Sequence, residues 1–433
     1  MSSSTIFPLH AVRTLALHAQ GLASGINATE EGTLKETSDV DSTRVASSDV
    51  IFNTIDGIGC VQIDTLQMVH RSQYIALWSR LGTYEIATFD ELQSNQRLFE
   101  YWLHAACLIP MRDYRYRLPV MHWYRNTDGW RREWADVPEN KALLDAVMKR
   151  ITDEGALRGA DFEHKEKRAG SWWNWKPAKQ ALEHLFNEGR LMIAGRVNFQ
   201  RLYDLPERVL PAWVDTRMPT HDEMQRYWLE RSLKAHGICD PKLAGTMVQG
   251  FKRAEAAALL KQLIDEGTAV QAQAMLADGE THTLVLHRDH LDALQQAVDG
   301  TMKAERTTFI SPFDNLLWVP RRDVAFWGFR QSLEAYLPQE KRQYGYFSLP
   351  ILHKDRFVGR FDPKLERATG VLRIKAIYLE PKVKADDTLI GAIAGALRDF
   401  MRFHHATDLV IEASTPKLLA KRLVRAVLKE TDL

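Results

Sequence analysis

Three cysteines in 433 residues, Cys60, Cys107 and Cys239, are too few and too scattered to frame a disulfide scaffold or supply a zinc site. Each reads as a small buried apolar residue, and a reducing cytoplasm is the expected compartment. Long hydrophobic runs are missing as well. No apolar stretch nears the roughly 18 residues of a membrane span, and Met1-Ser2-Ser3-Ser4 lacks the basic-then-apolar pattern of a secretion leader. The expectation is a chain with no membrane partner. Net charge is scarce too: 57 Lys and Arg against 56 Asp and Glu leave +1, which argues against bulk attraction to polyanions but leaves room for a local basic surface.

What is present is an ordinary globular composition, 45% hydrophobic and 26% charged, long enough for two to four domains. The charge is segregated. Residues 341–384 carry eleven Lys or Arg against four acids, Asp355, Asp362, Glu366 and Glu380. A solvated sheet face and a phosphate-contacting surface both account for that surplus.

The most informative short stretch is Val61-Gln62-Ile63-Asp64-Thr65-Leu66. In an extended backbone alternate side chains share a face, so Gln62 and Asp64 point one way while Val61 and Ile63 point into the core. A carboxylate beside an amide can hold a water and draw its proton, or oppose a growing positive charge. The plainer alternative makes Gln62 a turn cap and Asp64 the N-cap of a following helix, with Leu66, Val69, Ser72 and Gln73 at helical spacing.

Periodicity predicts helices over 9–21, 49–58 and 66–81, with a long polar loop over 27–48 and another loop over 129–140. Helices over 142–155 and 176–188 precede strand-like runs at 191–194 and 199–204. The Leu185-Phe186-Asn187-Glu188-Gly189 run is echoed by Leu263-Ile264-Asp265-Glu266-Gly267, and strand-like runs at 269–275 and 282–287 follow it. From residue 309 the texture changes to strands and turns, with 345–352 and 356–361 around a His353-Lys354-Asp355 turn, then 371–378, a helix over 388–404 and a strand over 409–412. The fold class expected is α+β: tandem winged-helix (helix-turn-helix) units followed by a C-terminal antiparallel β-barrel-like domain. The divisions are 1–128, carrying the Gln-x-Asp motif, then 141–215, 220–300 and 305–433.

Several segments in this order and spacing carry a resemblance: Gln62-Ile63-Asp64-Thr65, Phe99 to His104, Trp172 to Pro177, Asn198 to Leu205, Ser311-Pro312-Phe313-Asp314 and Lys341 to Phe347. Together they resemble the winged-helix DNA glycosylases of the YcaQ or AlkX type, within the AlkZ-like family, over nearly the whole chain. In that family the catalytic signature is Gln, an apolar residue, then Gln or Asp, and this chain has the Asp form. Relatives place an acidic residue after the His of the Glu-Tyr-Trp-x-His segment, whereas here Ala105 follows His104.

The resemblance implies a monofunctional DNA glycosylase that releases N7-alkylated purines and unhooks N7-linked interstrand crosslinks. Its partner is double-stranded DNA carrying such lesions, and it works as a monomer in the cytoplasm of a bacterium, at the nucleoid. Asp64 then takes the electrostatic or general-base role and Gln62 positions water. No metal and no redox cofactor is needed, and with no Lys beside the motif Schiff-base chemistry is not implied. Candidate DNA contacts are His70, Arg71 and Arg80 after the motif, His104, Arg196 and Arg201 on a wing, and Arg360 and Lys364, with Arg367, on the C-terminal meander. Tyr101, Trp102 and His104 read as a packed aromatic helix face. Trp172, Trp173 and Trp175 suit core packing or base stacking. The rival reading is a noncatalytic winged-helix DNA-binding protein or transcriptional regulator. A regulator would carry a dimerisation helix or ligand domain, which the sequence does not suggest, while Asp64 supplies what a glycosylase requires.

Overall fold

The computed structural model describes residues 5–23, 46–127, 129–162, 175–248 and 251–429. Trp172, Trp173, the Trp175 side chain and residues 27–45 of the polar stretch lie outside the described residues. Among the described residues no helix is long and apolar enough to cross a membrane. The three cysteines are buried and none is in a disulfide, as expected of small apolar residues.

The chain forms two compact units. One holds the described residues of Met1–Ile86, Leu103–Ala106 and Trp228–Leu433; the other holds those of Ala87–Trp102 and Cys107–Tyr227. The segment around Asp64 thus shares a unit with the chain's C-terminal half.

In the second unit, helix Pro138–Glu154 begins with Pro at its first position, where a missing N–H costs nothing. Strand Leu157–Arg158, helix Trp175–Asn187 and strands Met192–Val197 and Gln200–Asp204 follow. The strands form one antiparallel sheet with Gln200–Asp204 in the middle. The predicted loop over 129–140 is instead partly helical, Trp130–Asp136, and merges into the start of the next helix.

The cadence recurs further along the chain. Helix His221–His236, which belongs to the first unit from Trp228 onward, is followed within that unit by strand Ile238–Cys239, helix Arg253–Asp265 and strands Ala269–Met275 and Thr281–His287. The echo seen in sequence has a conformational basis. Gly189 and Gly267 both end their helices at positive φ, 65° and 73°. The N–H after each reaches back to the matching leucine carbonyl, Arg190 to Leu185 at 2.9 Å and Thr268 to Leu263 at 2.8 Å. That left-handed turn aims each chain into its hairpin. Strand Ile6–Phe7 adds in parallel to the second hairpin, so the N-terminal helix Leu9–Ala19 packs there through Ala11, Leu15 and Ala16.

The C-terminal sheet runs in the order Thr307–Phe309, Leu349–His353, Arg356–Glu366, Val371–Leu379, Asp408–Ile411, and curls into a half-barrel. The expectation of a wholly antiparallel sheet is corrected, because Asp408–Ile411 and Ser414–Thr415 pair in parallel with Val371–Leu379. The physical reason is helix Asp387–Phe403, a crossover that carries the chain back to the end where the preceding strand began. A further helix, Leu419–Leu428, was not foreseen, although Leu419, Leu423 and Val427 bury at its turn-by-turn spacing.

Candidate active site

Helix Ser48–Ile58 opens on the Ser47 hydroxyl, which accepts the Val50 N–H, and closes at Gly59 with φ 88°. That φ strains any residue bearing a Cβ, and a Cβ at position 59 would also lie 2.4 Å from Met247 Cε, whose side chain would have to move. The chain then enters strand Val61–Gln62. Asn315 Nδ2 donates to the carbonyls of Ile58, at 2.9 Å, and Cys60, at 2.7 Å, while the Ile63 N–H donates to Ala106 O at 2.8 Å. The joint is fastened on both sides. Val61 and Ile63 are buried and Gln62 and Asp64 half-buried, which is the alternation an extended segment dictates.

Gln62 Oε1 lies 3.0 Å from His104 Nε2, and the His104 ring packs on Trp318 with centroids 3.4 Å apart. Asp64 Oδ1 accepts the Leu66 N–H at 2.7 Å, and its own N–H points to Gln73 Oε1 at 3.4 Å. Burial pushes the Asp64 carboxyl above the usual aspartate range, a rise held back by the N–H groups of Leu66 and Thr65. Asp64 caps no helix. The next helix is Ser72–Leu81, with Arg71 at its N-cap, and not the predicted 66–81. Residues before it are fastened outward: the Leu365 N–H donates to Met68 O at 2.9 Å and Arg367 Nη2 to Val69 O at 2.6 Å. Those sheet and side-chain bonds take up carbonyls that a longer helix would have used.

The basic residues predicted as DNA contacts divide sharply. Arg80 is corrected to a core residue: its guanidinium is 1% exposed and bidentate to Asp314, at 2.7 and 2.9 Å, and also bonds Gln20. Arg360 is likewise corrected. It is buried between the rings of Phe329 and Tyr344, with Nη2 on Glu380 at 2.9 Å and Nη1 on Arg330 O. His70 packs against Tyr74 and His404, and burial, followed by the nearby charges of Arg367, Arg71 and His405, lowers its pKa to about 4. Arg196 and Arg201 converge on the buried carboxylate of Glu100, at 2.8 to 2.9 Å and 2.6 Å. Arg71 is half-buried and Lys364 exposed on its strand.

The Phe99-to-His104 segment is not a helix face. Leu98–Trp102 is a strand, on which the Tyr101 hydroxyl donates to Asn187 O at 2.5 Å and Trp102 Nε1 to Asn187 Oδ1 at 2.8 Å. Of the sequence candidates, the structure brings together Gln62 and His104, with Asp64 beside them on the same run. Asn315, Trp318 and Gln73 were missed. The Ser311-to-Asp314 motif ended just short of the first two, and no local pattern links them to a residue so far away in sequence.

The model of the DNA glycosylase AlkZ-like family matches residues 55–403, most of the chain and all of this site. The chain belongs to the AlkZ-like DNA glycosylase family. Among solved structures it is similar to the DNA glycosylase AlkZ of Streptomyces sahachiroi. The TM-score is 0.59 at 16% identity, covering 94% of this chain and 99% of that one. At that identity the likeness is one of fold. Between an enzyme and a noncatalytic regulator, membership of the AlkZ-like family decides for a glycosylase acting on DNA.

Proposed function

We propose that this AlkZ-like glycosylase hydrolyses the N-glycosidic bond of N7-alkylated purines and unhooks N7-linked interstrand crosslinks, with Asp64 and Gln62 as catalytic residues. The observation that carries the reading is Asp64 on a rigidly fastened segment, beside Gln62 and its partner His104. N7 alkylation gives the purine a formal positive charge, so the base departs without prior protonation. The remaining task is to steady the sugar oxocarbenium and deliver water, as in glycoside hydrolysis but with one carboxylate. Asp64 opposes the developing charge and draws the water's proton; Gln62 holds the water; His104 fixes the Gln62 amide. The helix, helix and hairpin successions around 141–215 and 220–300 serve as winged-helix modules on the duplex, and Arg71 and Lys364 contact phosphate.

Side-by-side single-turnover rates on duplexes with N7-methylguanine, an N7-linked crosslink and uracil test this. Both N7 substrates should be processed and uracil released poorly, because its leaving group carries no charge. Efficient uracil release, or no action on either N7 substrate, sinks the proposal.

The pH profile is a further expectation. Chemistry needs ionised Asp64, and the fold raises its pKa, so the rate should fall about tenfold per unit below an acid limb displaced above the ordinary aspartate value. Single-turnover rates across pH check it; an acid limb at or below that value contradicts the assignment.

A further inference from the structure

The helix Leu419–Leu428 carries Lys421 and Arg425, while Lys417 stands two residues before it and Lys429 one residue after it. The four recur at every fourth residue, so they form one stripe, and all are exposed. They flank a groove of about 710 Å³ whose floor includes Ile411 and Val424. Among the described residues none of the four enters an ion pair. Other cations nearby are satisfied: Arg422 binds Asp387, and Arg373 binds Glu366 and Glu412.

An unpaired row of like charges weakens a helix slightly, so the helix does not need it. We propose that this stripe is a docking surface for the phosphate backbone of duplex DNA flanking the lesion. Three features of the stripe favour this occupant. The first is complementarity, since a linear row of cations without an acid in the helix matches a linear polyanion. The second is length. Successive cations stand about 6 Å apart and the row spans about 18 Å, the rise of roughly five base pairs. The third is direction. Arg422 bonds residues at the start of helix Asp387–Phe403, while Arg398 late in that helix donates to Ala426 O. The Lys429 end of the stripe therefore runs toward the helix end bearing His404, which stacks on His70 in the loop after Asp64. The basic residues singled out from sequence are largely tied up within the protein; these four are available to exchange counterions with DNA.

The test is binding of undamaged duplex by the full chain over a range of salt concentrations, so its outcome is independent of lesion choice and of Asp64. The Lys417→Gln, Lys421→Gln, Arg425→Gln, Lys429→Gln variant should lower the magnitude of the log Kd against log salt slope by about 3.6. Affinity near 0.1 M salt should drop on the order of a hundredfold. Single-turnover base release at saturating enzyme should match the parent. Replacing the three lysines by Arg should preserve the slope. Single Gln variants, each lowering the slope by about 0.9, serve if the fourfold variant folds poorly. An unchanged slope in variants that melt like the parent overturns the proposal and leaves the groove to an acidic protein partner; an equal loss in the Lys→Arg variant overturns it too.

Discussion

Replacing Asp64 by Asn should lower the single-turnover rate of base release by about a hundredfold or more, since losing a preorganised charge or base at the reacting centre typically costs that much. Affinity for lesion-bearing duplex should stay nearly intact, because the amide keeps the shape and DNA affinity is dominated by phosphate contacts elsewhere. Stability should hold or rise. The folded state raises the Asp64 pKa, so this group's favourable contribution is present below its unfolded pKa and is lost as pH rises through the folded value. At neutral pH the buried charge is therefore a small burden that Asn removes. The Asn side chain can still accept the Leu66 N–H that Asp64 Oδ1 takes at 2.7 Å, so the loop has no reason to move. Gln62→Ala should be slower than the parent by a smaller factor if it positions water alone. Parent-like release by the Asn variant, at unchanged affinity, would remove Asp64 from the mechanism.

The pairing of the motif with a buried apolar partner on each side was legible because alternation is a local property of an extended chain, and Val61 and Ile63 declare it. The helix-to-hairpin echo at Gly189 and Gly267 was legible for a similar reason: a left-handed helix end writes itself as a glycine after an apolar turn. What failed were inferences about charge. Arg80 and Arg360 look in sequence like surface cations, and nothing nearby announces Asp314 or Glu380 as partners. Basic residues are identical on paper whether they meet phosphate or a buried carboxylate. The helix that was drawn from residue 66 failed because its competitor, the bonds from Leu365 and Arg367, arrives from nearly three hundred residues away.

Asp314→Ala should be the most damaging single change to stability, costing about 3–5 kcal/mol, because it strands the Arg80 guanidinium in the core. The partners are 1% and 0% exposed, so water cannot replace the lost carboxylate. Asp314 also caps the Leu316 N–H at 2.9 Å, while the adjacent Asn315 pins the carbonyls of Ile58 and Cys60. The damage should therefore reach the Gln62 strand, lowering activity beyond what partial unfolding explains. Arg80→Met with Asp314→Leu should recover much of the stability, since well-packed apolar replacements of buried pairs are often neutral. Denaturant unfolding of the single and double variants, with DNA binding over a salt series, separates the possibilities. If Arg80→Met unfolded like the parent and shed one phosphate contact from the salt slope, Arg80 would belong to the DNA interface after all. The bidentate geometry and the burial of both partners predict the reverse, a large loss of stability with the slope unmoved.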